Sequence, residues 1–228
     1  MTTPQCSERV YINQGNLPLL DMIPDGTGTR ALDCGCGGGD NAKIMMSRGW
    51  EVSGVTVSEN ERSLASDYCE KVYVFDLNHG IPEEAGSGYD LVLMSHILEH
   101  LINPDQLLQD AKRVLNRAGV IAVALPNVLY YSQRIKFLLG RFEYQEGGIM
   151  DRTHLRFYTF TSGSRLLCRN GYSVLRSGVH GNFPLWKLRR LLSKRFEQSL
   201  NRLACSFSPN LFGLQSLYVA SPIPENAE

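Results

Sequence analysis

Apolar residues in this chain fall into short runs separated by turn-forming residues, and the runs alternate between helical and extended character. Leu17–Ile23 has the spacing of a short helix closed by Pro24-Asp25-Gly26. The run Arg30–Cys34 predicts a buried strand that breaks into the glycine-rich stretch Gly35–Gly39. Asp40 is placed to cap a helix through Ser47 that stops at Gly49. Further strands are expected over Glu51–Val57, Val72–Phe75, Tyr89–Met94 and Gly119–Leu125, with a helix from Pro104 to Leu115 before the last. A helix over Leu129–Leu139 then gives way to a loop through Gly140, Gly147 and Gly148. Alternation resumes with a helix over Thr161–Arg169, a strand over Tyr172–Val179, a helix over Leu185–Leu203 and a strand over Gly213–Ala220.

Strands that are apolar throughout and alternate with helices predict an α/β fold: a Rossmann-like, seven-stranded, mostly parallel sheet with helices on both faces. Residues 127–158 interrupt the rhythm and read as a cap inserted after the fifth strand of a single domain spanning 1–228. The length of 228 residues, with 43% hydrophobic and 20% charged side chains, suits one such domain with a substantial core. No apolar window reaches bilayer length, and Met1–Val10 lacks the form of a secretory signal. The six cysteines are scattered without paired CxxC spacing, so free thiols in a reducing cytoplasm are expected.

The net charge of zero conceals an asymmetry. Residues 1–126 hold 9 Lys/Arg against 17 Asp/Glu, and residues 127–228 hold 14 against 6. A basic second part could draw an anionic substrate or surface, or simply neutralise the first part beside it. Residues 186–196 carry apolar and basic residues at helical spacing. Such a helix could lie on an anionic membrane, although covering the sheet is the more ordinary use. No nucleic-acid partner is expected, and the sequence does not define an oligomeric state.

Candidate chemistry gathers at the carboxyl ends of the predicted strands. Asp33-x-Gly35-x-Gly37-x-Gly39 lets the backbone approach a ligand at a helix start. Gly37-x-Gly39-x-x-Ala42 also satisfies a relaxed dinucleotide fingerprint, which keeps an NAD-dependent oxidoreductase open as a rival. Against NAD stand the acid Asp33, better suited to a cationic amine, and Thr56 where an acid would hold a ribose. Asp76 ends the third strand, as an acceptor for an exocyclic amine or as a turn cap. Ser95, His96, Glu99 and His100 follow the fourth strand. His96-x-x-Glu99-His100 spells an inverted-zincin pattern, but the long helix of such a site is missing around it, so no metal is expected.

The ordered set Leu32-Asp33-Cys34-Gly35-Cys36-Gly37, Gly54-Val55-Thr56-Val57-Ser58, Asp76-Leu77, Tyr89-Asp90 and Leu98-Glu99-His100-Leu101 resembles the class I S-adenosylmethionine-dependent methyltransferases. It is closest to a small-molecule branch with a Leu-Glu-His-Leu run. The resemblance implies S-adenosyl-L-methionine as cofactor, with Asp33 on its amino group and Gly35, Cys36 and Gly37 along it. Thr56 departs from the family pattern, which has an acid at the ribose, but resembles the fatty-acid cyclopropane-type enzymes in having threonine there, whose hydroxyl can still bond ribose. Val57 is a further expected cofactor contact. The resemblance places Asp76 and Leu77 at the adenine, and Ser95 and His96 on the sulfonium side. Tyr11 resembles an upstream aromatic that touches the cofactor in some relatives.

The stretch Asp151-Arg152-Thr153-His154-Leu155-Arg156-Phe157-Tyr158-Thr159 is similar to one in class I methyltransferases often encoded with glycan or natural-product pathways. His154 is a candidate base for an acceptor hydroxyl. Asp151, Arg156 and Tyr158 are candidate substrate contacts. Asp151, His154 and Arg156 could equally form a strut that locks the cap to the sheet. The expected reaction is methyl transfer to an oxygen of a small molecule, a glycan or a secondary metabolite. A non-catalytic, methyltransferase-like partner protein is the other alternative.

Overall fold

The computed structural model describes residues 14–23, 29–184 and 193–224. The strands are β1 (Arg30–Cys34), β2 (Glu51–Thr56), β3 (Lys71–Val74), β4 (Tyr89–Ser95), β5 (Leu115–Pro126), β6 (Tyr172–Gly181) and β7 (Gly213–Pro222). They form one seven-stranded sheet in the order β3-β2-β1-β4-β5-β7-β6. All pairings are parallel except those of β7, which runs antiparallel to both β5 and β6. The last strand therefore inserts between its two predecessors, an order that a linear pattern does not contain.

Period-2 alternation sorts the strand side chains onto two apolar layers. Val92, Met94, Ile121, Val123 and Leu125 face one layer, and Leu91, Leu93, Val120, Ala122 and Ala124 face the other. The first layer is closed by α4 (Pro104–Val114) and α6 (Phe160–Arg169), the second by α1 (Leu17–Leu20), α2 (Asp40–Ser47) and α3 (Glu59–Ala65). On α4, Leu107, Leu108, Ala111 and Val114 recur at helical spacing and are fully buried. Each such leucine contributes roughly 1.5–3 kcal/mol to holding the helix on the sheet.

Several boundaries differ from expectation. The apolar run at Leu17 forms a single helical turn that ends at Leu20 rather than Ile23. The sequence pattern misses α3, a polar surface helix with few apolar positions to mark it; its start is Ser58, whose hydroxyl accepts from the Glu61 amide. β5 and β6 each run further than their apolar runs because ladder hydrogen bonds continue through polar residues. Past the fifth strand lie α5 (Tyr131–Leu138) and a loop, packed on a small core of Tyr130, Ile149 and Met150. The expected helix over Leu185–Leu203 is found as α7 (Lys194–Phe207), followed by the one-turn α8 (Pro209–Phe212). Residues 185–192, most of the segment considered for membrane contact, lie outside the described residues. Among the described residues no helix is long and apolar enough to cross a membrane.

Candidate active site

The strand order reverses at β1, which lies between β2 and β4, and the carboxyl end of β1 is therefore the natural crevice of the sheet. Asp33 sits there, paired in register with Gly54 on one side and Leu93 on the other. Its side chain is fully buried, and neither carboxylate oxygen has a hydrogen-bond partner among the described residues. Burial pushes its pKa up to about 7. An unpartnered buried carboxyl is costly, and proteins keep one where a ligand completes it.

The chain turns sharply after Asp33. Gly35 and Gly37 have φ of 81° and 53°, in the left-handed region that glycine enters without strain. The amides of Gly35 and Cys36 both donate to the Val55 carbonyl, at 2.8 and 2.9 Å, pinning the turn to β2. A side chain at Gly35 would run into Ile97, which lies over it.

At the end of β2, Thr56 and Glu61 are both buried, and the Thr56 hydroxyl donates to the Glu61 carboxylate. The first turn of α3 thus brings an acid to the place where Thr56 stands in the sequence. Nothing at position 56 announces it, although Ser58-x-x-Glu61 has the form of a capping sequence. Val57 is half-exposed beside them and Leu77 is buried. Asp76 is exposed at the edge of the sheet, and its Oδ1 caps the following turn by accepting from the Asn78 amide at 2.9 Å.

His96 follows β4 in the left-handed region, at φ 58°, alone among the described non-glycine residues. Its Nδ1 lies 3.2 Å from Glu99 Oε1 and its Nε2 lies 2.9 Å from Gln215 Oε1. A reciprocal amide pair with Asn16 orients Gln215, and Asn16 also donates to the Ser95 hydroxyl at 3.1 Å. Both His96 nitrogens face acceptors, and only an imidazolium can donate to both. Burial alone would lower its pKa, but the hydrogen bond and charge of Glu99, with Gln215, raise it.

The 149–158 loop docks on this edge. The amides of Leu155 and Arg156 both donate to the Glu99 carbonyl. Asp151 Oδ1 accepts from the Thr153 amide and hydroxyl at 2.8 and 2.6 Å, and Thr153 Oγ1 lies 3.0 Å from His100 Nδ1. Burial would raise the Asp151 pKa, but these Thr153 hydrogen bonds hold it below the ordinary value. His154 is buried, with Nδ1 3.0 Å from the Ile149 carbonyl and Nε2 4.0 Å from Glu99 Oε1. Arg156 donates to the Ile102 carbonyl, and Tyr158 packs in the main core with its hydroxyl pKa pushed up to about 12 by burial. The structure thus brings together Asp33, Gly35, Cys36, Gly37, Thr56, Ser95 and His96 at one edge, with His154 beside them. It gives Asp151, Arg156 and Tyr158 supporting contacts within the fold. Tyr11 lies outside the described residues.

Residues 13–177 match the methyltransferase-domain family. A ubiquinone biosynthesis O-methyltransferase from Maricaulis maris is 31% identical over 159 residues, which cover 67% of this chain and 61% of that protein. The chain spans about half the length of several other such relatives. A SAM-dependent methyltransferase from Archaeoglobus fulgidus superposes with TM-score 0.63 at 21% identity, covering 89% of this chain and 90% of that one. The [4+2]-cyclase SpnF also superposes, with TM-score 0.57 at 17% identity and coverages of 90% and 80%, so the fold alone does not dictate the reaction. The family match over most of the chain, joined to the glycine turn and its buried acid, places this protein among the class I S-adenosylmethionine-dependent methyltransferases.

Proposed function

We propose that this chain methylates an oxygen of a small molecule, using S-adenosyl-L-methionine. The observation that carries the reading is Asp33, a fully buried carboxyl with no partner among the described residues, at the crevice of the sheet. A cationic amino group satisfies it, whereas a pyrophosphate would repel it. Gly35, Cys36 and Gly37 give the cofactor a close backbone wall, Thr56 and Glu61 hold its ribose hydroxyls, Asp76 and Leu77 meet its adenine, and Ser95 and His96 flank its sulfonium. Bound there, the cofactor supplies an electrophilic methyl group.

The acceptor approaches from the cap. Phe157 lies 6.3 Å from His154 between ring centroids, and Phe142 and Tyr144 each lie 6.5 Å from Phe157. Phe142 and Tyr144 are more than half exposed, so this aromatic wall offers apolar ring surface to incoming molecules. The wall leads inward to Glu99, His100 and His154, beside which an acceptor hydroxyl loses its proton. An acceptor with a flat or ring-shaped apolar face and a hydroxyl group fits this approach, and the O-methyltransferase names of the relatives agree with the choice of oxygen.

Thermal unfolding with S-adenosylhomocysteine and with NAD tests the cofactor reading, since a ligand of the folded state raises Tm. S-adenosylhomocysteine should raise it and NAD should not; stabilisation by NAD alone overturns the reading. Transfer of labelled methyl to phenolic and sugar acceptors then tests the acceptor class. Labelled products on nitrogen or carbon alone would sink the oxygen assignment.

A further inference from the structure

The geometry points to a divalent-cation site built from Glu99, His100 and His154. One ligand atom from each of these residues lies within 4.8 Å of the others. Glu99 is fully buried. Its Oε1 is held by His96, and its Oε2 has no hydrogen-bond partner among the described residues. A buried carboxylate oxygen without a hydrogen bond, on a residue clustered with two imidazoles, is an incomplete arrangement.

The imidazoles are set as ligands rather than as donors. His154 places Nδ1 against the Ile149 carbonyl, which can only accept, so Nδ1 carries the proton and Nε2 presents a lone pair. Thr153 gives its hydroxyl proton to Asp151, so its Oγ1 accepts from His100 Nδ1, leaving the His100 Nε2 as a lone pair as well. The 4.0 Å between His154 Nε2 and Glu99 Oε1 is too long for a hydrogen bond. A cation with bonds of about 2.0–2.2 Å would draw the groups together. Backbone carbonyls and carboxylate-backed hydroxyls on the far ring nitrogen are the usual outer support of metal-binding histidines. Two imidazoles and one carboxylate suit Zn²⁺, Mn²⁺ or Fe²⁺ better than the oxygen-seeking Mg²⁺ or Ca²⁺.

This assigns the Asp-x-Thr-His run a function that the sequence pattern left open. Asp151 and Thr153 orient His100, and His154 completes the site from the cap. The third ligand comes from the cap, not from the His96-x-x-Glu99-His100 pattern, in which His96 is already committed to Glu99 and Gln215. The role of the cation rests on the O-methylation reading: it would lower the pKa of an acceptor hydroxyl at the end of the aromatic wall. Cation binding itself does not depend on that reading.

The test adds Co²⁺ to the chelator-treated full chain, with S-adenosylhomocysteine binding measured in parallel. One equivalent should produce visible d–d absorption and two paramagnetically shifted, exchangeable imidazole N–H resonances, from Nδ1 of His100 and His154. Glu99→Gln, His100→Ala and His154→Ala should each raise the Co²⁺ Kd at least roughly tenfold, with Thr153→Val having a smaller effect. Thiolate charge-transfer bands, fewer than two shifted N–H signals, or undiminished binding in a folded His154→Ala chain would overturn the site. Should the variants fail to fold, the two N–H signals of the unaltered protein decide. Normal S-adenosylhomocysteine binding without stoichiometric Co²⁺ binding removes the cation site and leaves the methyltransferase reading standing.

Discussion

His96 Nδ1 and Glu99 Oε1 lie 3.2 Å apart, joining an imidazole held at positive φ to a carboxylate that is fully removed from solvent. The pair links the crevice to the docked loop, because His96 follows β4 and Glu99 meets residues 149–158. Truncating His96 leaves the Glu99 charge uncompensated. His96→Ala should destabilise the fold, and the effect should shrink in a Glu99→Gln background, with a coupling of about 1–3 kcal/mol in a double-mutant cycle. Because the folded pKa of His96 is raised, its contribution is complete below the ordinary imidazole value of 6.5 and fades as pH climbs through the raised one. Denaturant unfolding should therefore show stronger coupling at pH 6 than at pH 9; equal coupling at both would refute the charged pair.

Burial of Asp33 carries a stability cost that depends on pH. The folded protein retains a proton on this carboxyl until about pH 7, whereas the unfolded chain releases it near 3.8. Stability from this group is therefore lost as pH rises through that window, by on the order of a few kcal/mol. Asp33→Asn should make the ligand-free protein more stable than the parent, by a margin that widens from pH 5 to pH 8. It should also abolish stabilisation by S-adenosylhomocysteine. Calorimetry at the two pH values checks both parts, and retained ligand stabilisation in the variant would exclude Asp33 from the binding site.

The acid at the ribose position is predicted to be Glu61, borrowed from α3 and held by Thr56. Loss of a charged hydrogen bond costs ~1.5–3 kcal/mol, so Glu61→Gln should weaken S-adenosylhomocysteine binding roughly ten- to a hundredfold. Thr56→Val, which removes the hydroxyl but keeps the carboxylate, should cost less. Titration calorimetry on the folded variants measures both, and an unchanged Kd for Glu61→Gln would rule this contact out.

The sequence by itself determined the alternation of strands and helices, the glycine turn after Asp33 and the placement of polar residues at the ends of the strands. These are local: they depend on backbone period, on glycine's freedom at positive φ and on residues a few positions apart. The capping form of Ser58-x-x-Glu61 was equally local, and a helix is found there although its polar surface gave no apolar stripe. Only the tertiary structure decided the chemistry of His96, because its partner Gln215 is 119 residues away on a strand that inserts between β5 and β6. The same holds for His100 and Thr153, which are 53 residues apart in the chain and meet across a docked loop. Side-chain contacts of that separation are set by strand order and loop docking, which minimise buried unpaired polar groups over the whole fold and leave no periodic trace in the chain.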